Sequence, residues 1–141
     1  MKIIFWGTPE YSVLSLRYLI NSGHDIVAVI TQPDRRRRRG GKLYPSPVKE
    51  LAINENIRVF TPLDIRKDEE MVNAIGSLKA DIYIVVAFGQ ILPKTILEQP
   101  KYGSWNSHAS ILPRWRGAAP IQWSLISGDE KTGISIMLMD E

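Results

Sequence analysis

Apolar residues fall in this chain as short continuous runs separated by amphipathic stretches, an alternation that predicts a layered α/β domain. Residues 2–6 (K-I-I-F-W) run into Gly7-Thr8-Pro9 and read as a buried strand. Val13, Leu16 and Ile20 then recur at helical spacing up to a stop at Gly23. Thr8 is expected to cap that helix, with Pro9 in its first turn, where a missing N–H costs nothing. Residues 25–31 (D-I-V-A-V-I-T) supply a second strand, and strand, helix and strand in this space make a βαβ unit of the doubly wound kind.

Further along, Pro47 opens a helix carrying Val48, Leu51 and Ala52, residues 57–60 read as a brief strand, and 68–78 form an amphipathic helix. Residues 81–88 (D-I-Y-I-V-V-A-F) are nearly all apolar, which suits a central parallel strand covered on both faces. A short helix from Pro93, a strand at Ser104–His108, a helix at 119–127 and a strand at 133–139 complete the pattern, with Met137 and Met139 alternating toward the core. There is no repeat. The expected architecture is a Rossmann-like doubly wound α/β domain, a mostly parallel sheet with helices on both faces.

Composition adds little to this and charge adds more. Hydrophobic residues are 44% and charged residues 23% of the 141, ordinary for a globular domain. Without cysteine, disulfide scaffolds and thiolate metal sites are excluded. The longest apolar runs are far too short to cross a bilayer, and no signal-peptide apolar region develops before Gly7, so the chain reads as cytoplasmic; it is separately expected to be a monomer. Arg35, Arg36, Arg37, Arg38 and Arg39 are consecutive and outweigh the whole net charge of +3, leaving the remainder mildly acidic. Basicity confined to one irregular loop, 32–47, points to a local polyanion contact. A solvated charge run without a partner is the plainer alternative.

In open α/β sheets, ligands lie beyond the carboxyl ends of the strands. Gly7-Thr8-Pro9, the 32–42 loop, Gly89-Gln90-Ile91-Leu92 and the stretch from Asn106 to Arg116 each follow a strand and should share that edge. Gly7-Thr8-Pro9-Glu10 lacks the glycines of a G-x-G-x-x-G turn, which disfavours a dinucleotide site. Asn106 and His108, two apart on a strand, face one side together. A carboxamide donor beside a proton-carrying imidazole suits a carbonyl that becomes a tetrahedral oxyanion. A buried Asn/His pair satisfied by backbone is the competing reading.

The longer string N-S-H-A-S-I-L-P-R-W-R-G-A-A-P-I-Q (106–122) resembles the active-site signature of the folate-dependent formyltransferases. Its R-G-A-A-P-I-Q ending is similar to the branch that formylates initiator methionyl-tRNA. The likeness extends to F-W-G-T-P-E at 5–10, T-Q-P-D at 31–34, L-Y-P-S-P-V-K at 43–49, V-V-A-F-G-Q-I-L-P at 85–93 and the final M-L-M-D-E. It implies a metal-free transfer from 10-formyltetrahydrofolate to the α-amine of methionyl-initiator tRNA. Asn106 and His108 are then two of three catalytic polar groups. Ser110, Ile111, Leu112 and Pro113 contact the folate, and Gln90, Ile91 and Leu92 help line its pterin pocket. Gly7, Thr8 and Pro9 border the substrate pocket, and Arg36, Arg37, Arg38, Arg39 and Lys42 meet the tRNA acceptor arm. The third catalytic group of the family, an aspartate in L-D-T-G, follows the M-D-E at which this sequence stops. The 141 residues are therefore expected to be the N-terminal part of a catalytic domain, without its remainder or a C-terminal β-barrel, and weak or inactive alone. Other members of the family act on an amino-sugar nucleotide or glycinamide ribonucleotide, and a noncatalytic tRNA- or folate-binding module is a further alternative. Trp115 and Trp123 read as packing residues, and Asp129-Glu130-Lys131 as a polar turn.

Overall fold

The computed structural model describes residues 1–36, 39 and 41–140. Strands β1 (Lys2–Gly7), β2 (Asp25–Ile30), β5 (Val59–Phe60), β6 (Ile82–Val86), β7 (Ser104–His108) and β8 (Ser135–Leu138) form one sheet in the order β5-β2-β1-β6-β7-β8. All pairings are parallel except β7 with β8. The doubly wound expectation holds, and the antiparallel edge strand is a common addition to such sheets.

Two helices cover each face. Helices α1 (Glu10–Asn21) and α2 (Pro47–Asn54) bring Val13, Leu16, Val48, Leu51 and Ala52 onto Phe5, Val29 and Val86. Helices α3 (Glu69–Ser77) and α4 (Lys94–Leu97) bring Ile75, Ile96 and Leu97 to the other face, where Ile4, Trp6, Ile30, Tyr83, Val85, Phe88 and Leu92 form the larger cluster. The split follows strand alternation: Trp6 and Val85 are register partners on one side, while Phe5 and Val86 point the other way. Trp6 is fully buried and meets Phe88 edge-on at 5.2 Å and Tyr83 at 5.6 Å. Burial also pushes the Tyr83 hydroxyl pKa well above its usual range, and that hydroxyl donates to Gln99 Oε1 at 2.6 Å.

Local chemistry corrects three expectations. Thr8 does not cap α1; Pro9 occupies the cap position without a side-chain bond, and the Thr8 hydroxyl donates instead to the Phe88 carbonyl at 2.8 Å. The competing acceptor lies at the end of β6, so a tertiary bond displaces the local one. The loop before α2 is not wholly irregular, because β3 (Arg35–Arg36) and β4 (Leu43–Tyr44) pair antiparallel across it. Strand β5 covers only Val59–Phe60 of the brief strand expected at 57–60. By contrast, Ser46 and Asp68 cap α2 and α3 through bonds from the Lys49 and Met71 amides. Met139 packs against the larger core, and Met137 is half-buried beside it on the same side of β8.

Candidate active site

Asn106 pairs with Val85 of β6 and Met137 of β8, and therefore lies on the sheet face that carries Trp6 and Val85. His108, two residues on, shares that face. It stands beyond the last β6–β7 pair, opposite Ser135, at the carboxyl edge of the sheet. Phe88 and Leu92, which flank the turn after β6, pack into the cluster on the same face. Strand direction and alternation thus bring the Asn/His pair and the Gly89–Leu92 turn to one side of one edge.

Both polar side chains are half-buried. The Asn106 carboxamide makes no hydrogen bond among the described residues. His108 Nε2 lies 2.9 Å from the Trp115 carbonyl. A carbonyl only accepts, so Nε2 carries the proton and, in the neutral ring, Nδ1 is left as an acceptor. One member of the pair is thus tied to backbone and the other has its hydrogen-bonding capacity spare.

The loop after β7 is stitched to β8 by one hydroxyl. Ser135 Oγ donates to the Ser110 carbonyl at 2.7 Å and accepts from the Leu112 amide at 3.1 Å. Ser110 itself is fully buried, with its Oγ unpartnered. The 111–115 stretch, with Asp129, Lys131 and Thr132, lines a groove of about 540 Å³. Ile111 is more than half exposed there.

A second group of loops interlocks on the same edge. Gln32 offers its amide N–H to Thr8 Oγ1 at 3.3 Å and its carboxamide N–H to the Phe88 carbonyl at 3.3 Å. The Gln90 carboxamide accepts from the Ile65 amide at 2.9 Å and donates to the Pro62 carbonyl at 3.0 Å and to Gln32 Oε1 at 3.3 Å. The Gln90 side chain therefore binds loop to loop, which leaves the exposed Ile91 and the Gly89–Leu92 backbone as the surfaces of that turn. Gly7 is required by crowding: a Cβ there would lie 2.7 Å from the Phe5 ring and 2.9 Å from the Val86 carbonyl. Gly89 adopts φ of +92°, which side chains rarely tolerate.

Asp129, expected only to sit in a polar turn, joins the candidate site through Arg114 and Trp115. Its carboxylate accepts from Arg114 Nε at 2.8 Å, Arg114 Nη2 at 2.6 Å and Trp115 Nε1 at 2.6 Å. The Arg114 guanidinium and then the Trp115 indole hold its pKa down at about 2. A depressed carboxylate stabilises the fold fully above its ordinary value of 3.8 and loses that contribution as pH falls through about 2. The Trp115 indole N–H resonance is accordingly expected to stay constant down to the ordinary carboxylate range and to shift with a midpoint near 2. A midpoint at 3.8 would contradict the contact. No side-chain hydrogen bond reaches Asp129 from a neighbour closer than Trp115, so sequence spacing offered no signal for it.

Of the arginine loop, Arg36, Arg39 and Lys42 are exposed, and Lys42 sits over the Tyr44 ring at 5.4 Å. Asp34 and Lys49 form an ion pair at 2.7 Å that ties the loop's first residues to α2. Arg37 and Arg38 lie outside the described residues. Among the described residues, no group of three or more metal-ligating side chains occurs, and no helix is long and apolar enough to cross a membrane.

A family model described as formyl transferase matches residues 1–141. The chain belongs to the formyl transferase family. It is 62% identical over its whole length to a methionyl-tRNA formyltransferase of Prochlorococcus marinus subsp. pastoris, of which it covers 43%. It is 58% identical to that of another Prochlorococcus marinus strain, covering 42%. The chain thus spans less than half the length of the curated relatives it matches. Among solved structures of the family's fold, a phosphoribosylglycinamide formyltransferase from Bacillus halodurans superposes with a TM-score of 0.79 at 16% identity, over 100% of this chain and 73% of that one. A formyltetrahydrofolate deformylase from Pseudomonas syringae pv. tomato gives 0.74 at 19% identity, over 99% and 46%. At these identities the likeness establishes a formyl transferase fold.

Proposed function

We propose that these residues are the N-terminal part of the catalytic domain of a cytoplasmic, monomeric methionyl-tRNA formyltransferase. It moves a formyl group from 10-formyltetrahydrofolate to the α-amine of methionine on initiator tRNA. The observation that carries this reading is the unbonded Asn106 carboxamide on one sheet face with a His108 ring whose Nδ1 is spare. The amine attacks the formyl carbon, and the Asn106 N–H donates to the oxygen as it gains charge. His108 accepts a proton at Nδ1 and passes it toward N10 as the carbon–nitrogen bond to the folate breaks. Ile111, Leu112 and Pro113 flank the folate, the fully buried Ser110 supports them from within the loop, and the Gly89–Leu92 turn lines the pterin. Gln90 serves there by bracing the turn, and Gly7, Thr8 and Pro9 close the neighbouring corner of the pocket.

The acceptor is supported by the names of the relatives that match the whole of this chain and by the exposed Arg35, Arg36, Arg39 and Lys42. The test is formyl transfer to charged initiator tRNA, an amino-sugar nucleotide and glycinamide ribonucleotide, in a chain that also carries the family's L-D-T-G segment. Transfer to the tRNA alone is expected; transfer to a small acceptor alone would overturn the assignment, and folate binding without transfer would make this a binding module. Replacing Arg36, Arg37, Arg38 and Arg39 with alanine is expected to flatten the dependence of tRNA affinity on salt by up to about four phosphate contacts, each contributing a slope near 0.7–0.9. Affinity measured across a salt series checks this, and an unchanged slope removes the loop from the interface.

A further inference from the structure

The Asp129 carboxylate does more than join two loop residues. It receives the Trp115 indole N–H at 2.6 Å, while the Trp115 carbonyl receives the His108 Nε2–H at 2.9 Å. Two neighbours pack on the Trp115 ring, the Arg114 guanidinium 4.4 Å from its centroid and the Trp123 ring 6.1 Å away at 13°. The same Arg114 is bound by Asp129 through two parallel bonds. Trp115 has a φ of 57°, in the left-handed region that bulky residues avoid, so its backbone persists only because the surroundings over-determine it. The Asp129 side chain is only 12% exposed, which shields its bonds from the solvent competition that weakens the 59%-exposed Arg114.

We infer that Asp129 is a positioning residue for His108: by fixing the Trp115 indole it aims the Trp115 carbonyl at Nε2, and so holds the imidazole in the tautomer that presents Nδ1. That this orientation serves formyl transfer rests on the reading proposed above; the coupling itself does not. Asp129 touches neither the imidazole nor Asn106 in any hydrogen bond among the described residues, so its influence runs through Trp115.

The experiment is imidazole nitrogen–proton correlation NMR on the ¹⁵N-labelled chain, with no substrate present. The chain has two histidines, and His24, outside this loop, is the internal control. The His108 Nε2–H is expected to give an observable signal in the unaltered chain. In Asp129→Ala its exchange with water rises on the order of tenfold, the weight of one hydrogen bond. Trp115→Phe, which keeps a stacking ring and the carbonyl but deletes the indole N–H, has the same effect. The double variant changes little beyond either single one, because both cut the same link. Backbone amides of β1 and β6 report whether the core is intact. If Asp129→Ala loses that pattern, Trp115→Phe decides alone. Unchanged Nε2–H exchange in Trp115→Phe, or strictly additive effects in the double variant, overturns the inference. Intact coupling, with no formyl transfer by a chain that also carries the L-D-T-G segment, would instead sink only the reaction assignment.

Discussion

Asn106→Ala is expected to slow formyl transfer by about 10²–10³-fold, measured as turnover of methionyl-initiator tRNA in a chain that also carries the L-D-T-G segment. The carboxamide bonds to nothing else among the described residues, so its removal breaks no structural link and the melting temperature should hardly move. An oxyanion donor acts in the transition state, so kcat and kcat/KM should fall together while folate affinity holds. A rise in KM at constant kcat would mean that Asn106 binds the ground state, and wild-type turnover would remove it from the chemistry.

Trp6→Ala is expected to cost about 3–5 kcal/mol of stability, read from urea denaturation midpoints. Trp6 is fully buried between Phe88 and Tyr83, and its strand partner Val85 is also the partner of Asn106. The cavity would therefore open on the sheet face that carries Asn106, two strands away. Trp6→Phe should cost much less than its loss of volume suggests. The Trp6 Nε1–H is buried without an acceptor, and deleting it removes a penalty of about 1–3 kcal/mol. A cost for Trp6→Phe as large as its lost volume predicts would show that the indole N–H is satisfied in solution.

The strands of this fold were legible because a strand covered on both faces needs an apolar run, and such runs are plain in residues 2–6 and 81–88. Ser104–His108 was found at the bounds expected, since the polar face of its last turn of pairing marks the sheet edge. What stayed hidden depends on partners far along the chain. The Thr8 hydroxyl is bound by a carbonyl eighty residues away, as its placement on Phe88 shows. Sequence alternation cannot reveal that β8 runs antiparallel, because pleating looks the same in both directions. The position of Asn106 and His108 on one face follows from period-two spacing, whereas the hold of Trp115 on Nε2 does not. That bond requires a left-handed backbone at a tryptophan, which no local preference would predict.

The reversal of β8 has a topological consequence. Chain leaving the sheet at His108 comes back at Ser135, the residue paired with it, so everything between them forms a closed excursion over a single rim. Helix α5 (Pro120–Ile126) rides on that excursion with Ile121, Leu125 and Ile126 largely exposed. The amides of the excursion are expected to exchange with deuterium long before those of β1, and equal protection would show that the excursion opens only with the whole sheet. The same segment carries Trp115 and Asp129, so its opening would release the hold on His108 Nε2.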